Sequence, residues 1–431
     1  MLVEFRTRNF RCFRDDQVLS LVANSDTTLD ENCTRIANLR LLKAVGIYGA
    51  NASGKSNLIK AIDVMRKLVL DSANFKPGRK LPRKAFLLNG KSQKKPSFFE
   101  ATFFHNGIRF QYGFTITSTR IQDEWLTAYP KGIGQAWYVR AFNQKTGDYD
   151  WKYSSFLKGE RAKLAKKTRE NALFLSVGAQ WNNEQLTAVY EWFRDKLRVA
   201  PPKEEFRPVT AEMLFDMRKE KDDWVKLYDY VMEVLRKADL GIRAVDVKER
   251  RVNREMIKFP EFLPSEIQEK LLERLERERF LKVEMVHRNV DTDVHVHFPL
   301  EEESDGTQRF FQLLGPWLET VRGGYTVFVD ELEVSLHPLL TRELVKFIQD
   351  PENNKTGAQL VFTTHDTTLL DPALFRRDQI WFTEKDMSGG AILYSMSDYK
   401  ERRARKGEAM QKGYLSGRYG AIPILEAFTL K

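Results

Sequence analysis

Gly49-Ala50-Asn51-Ala52-Ser53-Gly54-Lys55-Ser56 is the stretch on which the reading of this chain turns. It follows an apolar run, Leu41 to Tyr48, and precedes Asn57 to Leu70, where Leu58, Ile62, Met65 and Val69 recur at helical spacing. A strand, a glycine-bearing loop and a helix in that order make a phosphate cradle. Glycines let successive backbone N–H groups turn toward anionic oxygens, and the helix adds its positive N-terminus. In such a cradle Lys55 reaches the terminal phosphates and the Ser56 hydroxyl takes a Mg²⁺ coordination site. Gly49, Asn51, Ala52, Ser53, Gly54 and Asn57 complete the predicted nucleotide contacts. The stretch predicts binding of ATP or GTP.

Composition bounds what surrounds the cradle. The 431 residues suffice for one large core or two to three domains, and 42 % of them are apolar. Two cysteines, Cys12 and Cys33, exclude a disulfide scaffold and a four-cysteine zinc site and fit a reducing compartment. No apolar run reaches the ~18 residues of a membrane span, and charges stand where a signal peptide needs an apolar core. A cytoplasmic protein is expected. Net charge is +10, clustered at Lys76–Lys84, Lys91–Lys95, Arg161–Arg169, Lys248–Arg254 and Lys400–Lys406. Such clusters suit phosphates of DNA or RNA, but no base-reading motif accompanies them.

Leu2–Asn9 alternates as a strand, and Phe98–Phe104, Ile108–Thr117 and Arg120–Tyr129 predict an antiparallel set with Gly and Asn turns. Beyond Pro201-Pro202 the chain turns charge-rich and helical. One stripe comprises Trp224, Leu227, Tyr228, Val231 and Leu235, and another Ile267, Leu271 and Leu275. These stripes are expected to pack on each other as an inserted helical lid. Strand character returns at Val283–Val286, Val294–Phe298, Tyr325–Val329, Gln359–Thr363, Gln379–Thr383 and Ala391–Ser395. Alternation with helices predicts a largely parallel sheet with its ligand at the strands' carboxyl ends. The expected division is a core half over 1–198, the lid over 199–285, a second core half over 286–398 and a basic tail over 399–431.

The strand Tyr325–Val329 ends in Asp330-Glu331. There Asp330 is placed to hold Mg²⁺ opposite Ser56, and Glu331 to act as general base on the attacking water. Ser304, Gly306 and Thr307 open the helix Phe310–Val321, where a hydroxyl and backbone N–H groups offer a second anion site. His365 ends another strand, at the place of a γ-phosphate sensor. Arg11, in the first strand's turn, is placed to approach phosphate or adenine. His295 and His297 share a strand face, but no third metal ligand is visible in the sequence.

The order and spacing of these pieces resemble the ABC-type ATPase heads of the SMC/RecF/OLD group. The resemblance implies an α/β P-loop NTPase head: a mixed sheet with helices, an antiparallel β subdomain and an inserted helical lid. By that resemblance Gly49–Ser56 is Walker A, Asp330-Glu331 is Walker B with its catalytic glutamate, and Glu333–Pro338 is the D-loop region. Ser304–Gln308 corresponds to the signature motif and His365 to the switch histidine, while Gln180, after Phe-Leu-Ser-Val-Gly-Ala, takes the place of the Mg²⁺-sensing glutamine that follows a core strand. The signature reads Glu303-Ser-Asp-Gly-Thr-Gln308 rather than the transporter form. In this it is similar to stand-alone bacterial defence ATPases, the RloA- and AbiL-like proteins, as are Glu4–Arg14 and Tyr414–Pro423. The resemblance implies a homodimer closed around ATP and Mg²⁺, each copy supplying its signature to the other. The stretch beyond His365 is shorter than the roughly 100 residues of a typical nuclease domain and shows no acidic cluster. A separately encoded nuclease or toxin is therefore the expected effector, and a RecF-like DNA-repair ATPase is the alternative.

Overall fold

The computed structural model describes residues 1–200, 208–216, 221–238, 241–250, 257, 259–260, 263–277, 280–399 and 410–423. Two compact units emerge: Met1–Pro201 with Thr320–Val334 and Thr341–Lys431, and Pro202–Glu319 with Ser335–Leu340.

In the first unit, alternation along β1 (Leu2–Arg8) buries Val3, Phe5 and Thr7 and leaves Arg8 exposed. It pairs antiparallel with β2 (Gln17–Ser20), and a small hairpin follows, β3 (Cys33–Ile36) with β4 (Leu39–Leu42). β5 (Ala44–Tyr48) is buried along its whole length, as a strand covered on both faces must be. Lys43 separates β4 from β5, its ammonium donating to the Gln349 carbonyl at 3.0 Å. After the glycine loop runs α1 (Lys55–Asp71), with Leu58, Ile62, Met65 and Val69 turned into the core.

Past α2 (Gly90–Lys94) the chain zigzags through β6 (Ser97–His105), β7 (Ile108–Ile116), β8 (Ile121–Tyr129), β9 (Gln135–Asn143) and β10 (Asp148–Tyr153). With β1 and β2 these build an antiparallel seven-stranded sheet, order β10-β9-β8-β7-β6-β1-β2. α3 (Arg161–Lys167), α4 (Phe174–Gln180) and α5 (Glu184–Glu191) then lead to β11 (Leu197–Val199).

The second unit corrects the expected lid. It holds α6 (Val209–Asp216), α7 (Lys221–Lys237), β12 (Ala244–Arg250), α8 (Ser265–Arg277), β13 (Phe280–Arg288), β14 (His295–Pro299) and most of α9 (Asp305–Gly323). β12, β13 and β14 form an antiparallel sheet, so the insertion is not purely helical. The unit also runs to Glu319, and the strands at 283–286 and 294–298 therefore belong to it rather than to the core. Its two helical stripes differ among the described residues: Val231 and Leu235 on α7 are buried, whereas Ile267 and Leu271 on α8 stay 46 % and 36 % exposed. Pro201-Pro202, Lys400–Lys406, part of Lys248–Arg254 and the side chains of Trp224, Leu227 and Leu275 lie outside the described residues.

The first unit resumes with β15 (Thr326–Val329), most of α10 (Pro338–Gln349), β16 (Gln359–Thr363), β17 (Ile380–Lys385), β18 (Ala391–Ser395) and α11 (Met410–Leu415). Its second sheet has the order β11-β15-β16-β5-β17-β18, parallel except for β18. Register aligns Val329, Phe362, Gly46 and Ile380 in neighbouring strands, so the loops after β5, β15 and β16 leave from one edge. That carboxyl edge is where an α/β sheet binds its ligand.

Candidate nucleotide site

The glycine loop is shaped by what crowds it. A Cβ on Gly49 would stand 2.3 Å from the Thr383 carbonyl oxygen, so only glycine can leave β5 along this path. Gly54, at φ 127°, would press a Cβ to 3.0 Å from both Cys12 Sγ and Ala391 Cβ. Between them Ser53 Oγ meets Thr383 Oγ1 at 2.6 Å, pinning the loop to β17. Lys55 is buried and its ammonium donates to the carbonyls of Gly49 at 2.8 Å and Ala50 at 3.2 Å. Asn51 and Ala52 are exposed at the loop's crest, and Ser56 and Asn57 are half-buried at the start of α1.

Acidic groups converge on the same edge. Thr363, closing β16, donates its hydroxyl to Asp330 Oδ1 at 2.6 Å and accepts the Glu331 N–H at 2.8 Å. Glu331 adopts φ 50°, which turns the chain sharply after β15 and leaves its side chain exposed. The His365 N–H donates to Glu333 Oε1 at 2.5 Å. Burial lowers the Lys55 pKa, opposed by the charges of Glu333, then Asp330, then Glu331. Glu333 thus exerts the largest of the three carboxylate influences on Lys55. Burial also lowers the His365 pKa, helped by Lys55 and opposed by the same carboxylates. The structure thus brings Lys55, Asp330, Glu331 and His365 into one electrostatic neighbourhood.

A family described as an AAA domain, putative AbiEii toxin, type IV toxin–antitoxin system, matches residues 44–176 and 179–371. The chain belongs to this family. The first matched segment carries the glycine loop and the second carries Asp330, Glu331 and His365, and an AAA domain is an ATPase-type domain. No match was found among curated proteins.

Two contacts of this AAA domain escaped sequence reasoning. Glu333 was absorbed into the D-loop region, although a carboxylate two residues past Glu331 was the available signal. Tyr414 on α11 packs edge-on against Tyr48, the last residue of β5, at 5.9 Å and stacks on Phe382 at 5.4 Å, so the closing motif braces the strand that enters the glycine loop. No spacing rule links it to that loop.

Gln180 is corrected. The expected core strand before it is α4, and the Gln180 amide donates to Asn74 Oδ1 at 3.1 Å. Asn74 ends the turn that continues α1, and 17 helical residues at ~1.5 Å each put it roughly 25 Å from the loop. A metal beside Ser56 is beyond the reach of Gln180.

In the second unit, the Ser304 hydroxyl accepts the Thr307 N–H at 3.1 Å and meets Thr307 Oγ1 at 2.9 Å, an N-cap of α9. Gly306 lies against the Ser335 carbonyl, 2.9 Å from where a Cβ would stand. Asp246 and Glu284 lie near His297, with ligand atoms within 4.8 Å. Lys248 and Lys282 already bond these carboxylates at 2.6–3.2 Å, which makes the group a charge ladder across the sheet. Among the described residues no helix is long and apolar enough to cross a membrane.

Proposed function

We propose that the chain hydrolyses ATP as a head-to-head homodimer and thereby controls a separately encoded nuclease or toxin in bacterial phage defence. The observation that supports this reading is the gathering of Lys55, Asp330, Glu331 and His365 at the end of the parallel sheet. Lys55 is the phosphate-binding cation, and Glu331 is the base that takes a proton from the attacking water. The Ser56 hydroxyl and Asp330 carboxylate form an oxygen donor set suited to Mg²⁺, which neutralises phosphate charge. His365, neutral at pH 7 by its lowered pKa, offers a ring N–H or lone pair to the γ-phosphate end.

The partner's Ser304-Gly306-Thr307 segment completes the site in this reading, so ATP stabilises the dimer and hydrolysis releases it. The family description, with its toxin–antitoxin wording, supports the defence role and the kinship with RloA- and AbiL-like proteins. Net charge of +10 favours DNA contact as the competing use of the cycle.

Phosphate release and equilibrium ATP binding test the chemistry together. Glu331→Gln is expected to slow hydrolysis roughly 10²–10⁴-fold, the scale of a lost general base, while ATP still binds. Lys55→Ala is expected to abolish binding. A Glu331→Gln enzyme that turns over at the parental rate would falsify the assignment of the base.

A further inference from the structure

Two basic stretches far apart in the sequence, 72–80 after α1 and 161–169 over α3, meet in the first unit. The first carries Lys76, Arg79 and Lys80, the second carries five more cations, and neither contains a carboxylate. Hydrogen bonds hold them together. Asn171 Nδ2 donates to the carbonyls of Lys76 at 2.9 Å and Arg79 at 3.1 Å. The bond from Gln180 to Asn74 draws the turn after α4 onto the same place, and with it Trp181. Lys167 closes the circle, its ammonium 3.0 Å from the centre of the Trp181 ring.

The charges face outward. α3 buries Leu164 and leaves Lys163, Lys166 and Lys167 exposed, and Lys76, Arg79 and Lys80 are exposed as well. Of the carboxylates at the border, Glu160 pairs with Lys163 at 2.5 Å and Glu170 with Arg120 at 3.1 Å. Asp71 and Glu184 are left against the remaining cations, which outnumber them. A solvated lysine face needs no tryptophan. Trp181 is nevertheless 55 % exposed, although Lys167 lies over its ring, so a flat apolar surface stands open beside the charge. Arg79 adds a second such pair, its guanidinium 4.0 Å from the centre of the Phe75 ring.

We infer that this face binds single-stranded nucleic acid, its phosphates along Lys76, Lys80 and Lys166 and an unpaired base stacked on Trp181. Cations spaced along a surface displace the counterions of a phosphodiester chain, and an aromatic ring stacks any base through its π-face. The tryptophan is what selects the single strand. In a duplex the base faces are already stacked on one another, so only the charges could be used. The face is separate from the glycine loop, because the 17 residues of α1, at ~1.5 Å each, set the two roughly 25 Å apart. The inference therefore stands apart from the nucleotide reading.

Fluorescence anisotropy tests it. The purified full-length protein is titrated into labelled oligothymidylate and oligouridylate of about 15 nucleotides, and into a DNA duplex of that length. Salt is varied between about 50 and 200 mM. Binding of either single strand, tighter than duplex and weakening steeply with salt, supports the inference, and the ratio of the two affinities tells DNA from RNA. Trp181→Ala should weaken single strands about tenfold, whereas Trp181→Phe keeps a ring and most of the affinity. Lys80→Ala/Lys166→Ala should flatten the slope of log affinity against log salt by about 1.4, two contacts at ~0.7 each. Lys91→Ala/Lys94→Ala removes the same charge from another exposed stretch and should leave that slope unchanged. Melting curves check that each variant is folded. No binding to single strands, duplex bound as tightly, equal losses from the two lysine pairs, or a Trp181→Ala protein of parental affinity overturns the inference. So does displacement by poly-L-glutamate as effective as by unlabelled strand, which would mark the face as a seat for an acidic protein segment.

Discussion

Glu333 is the side chain whose position says most about how the site is tuned. It accepts the His365 N–H and has the strongest electrostatic influence on Lys55 of the three carboxylates, so it links Lys55 to the residue after β16. Glu333→Ala removes both the acceptor and the charge. A hydrogen bond to a charged group is worth roughly 1.5–3 kcal/mol, and about 1.4 kcal/mol is a factor of ten in rate. A ten- to hundredfold fall in kcat is expected, read by steady-state phosphate release, whereas Glu333→Gln keeps an acceptor for the N–H and should lose less. Identical rates in all three proteins would take Glu333 out of the site. His365 adds a pH dependence. Its native pKa is held below the ordinary histidine value of about 6.5, so on acidification the unfolded chain takes the proton first. The stability it contributes is present at pH 7, is lost as pH falls from about 6.5 through the lower native value, and changes no further below that. Denaturant midpoints between pH 7.5 and 5 should therefore fall less steeply in His365→Asn. That Lys55, Asp330 and Glu331 share one neighbourhood was legible in the sequence, because a loop motif and a strand end fix their positions locally. Gln180 was misread because its expected role required a strand that a short apolar run cannot distinguish from a helix.

At the level of elements, the antiparallel sheet and α4 are joined by a single buried carboxylate. Glu124 on β8 accepts from the hydroxyls of Tyr112 at 3.1 Å and Tyr138 at 2.8 Å, and from the N–H groups of Phe174 at 2.7 Å and Leu175 at 3.0 Å. It also faces Arg140 at 3.4 Å, and both side chains are fully buried. An anion at the first N–H groups of α4 satisfies donors that a helix start leaves open and complements its dipole. This is the physical reason a helix, α4, starts at Phe174 where the place given to Gln180 required a core strand. Glu124→Ala leaves the Arg140 charge buried without its carboxylate, a change that typically costs about 3–5 kcal/mol. Urea unfolding should show a loss of that size, and a loss below about 1 kcal/mol would mean that the remaining carbonyl partners of Arg140, Ala172 and Arg169, suffice. The same scale explains why β12 was missed. Val245 and Val247 face inward at 3 % and 1 % exposure, but they alternate with charges in a charge-rich stretch that reads as helix.

For the whole molecule, the order of elements survived from sequence to structure better than the boundaries did. The parallel sheet was legible because each of its strands is a short apolar run beside a helix, and a compact βα unit is a local event. The second unit's limits were not, because the local β13–β14 hairpin joins a sheet only by pairing with β12, on the other side of α8 in the chain. The division matters for function, since Lys55 lies in the first unit and Ser304 in the second. If two copies share each nucleotide, with the loop of one facing the Ser304 segment of the other, two inactive proteins must be able to repair each other. Lys55→Ala spoils the loop of its own chain. Ser304→Arg spoils only the segment offered to the other copy, at the cost of an exposed helix cap worth about 1 kcal/mol. Each variant alone should be inactive in phosphate release. In an equimolar mixture random pairing makes about half of the dimers mixed, and each of these has one intact site, formed by the loop of the Ser304→Arg chain and the Ser304 of the Lys55→Ala chain. Activity near a quarter of the parental level is therefore expected, appearing on mixing and growing with total protein concentration as association by mass action requires. A mixture as silent as its components, with both variants folded by their melting curves, would mean that each chain works alone.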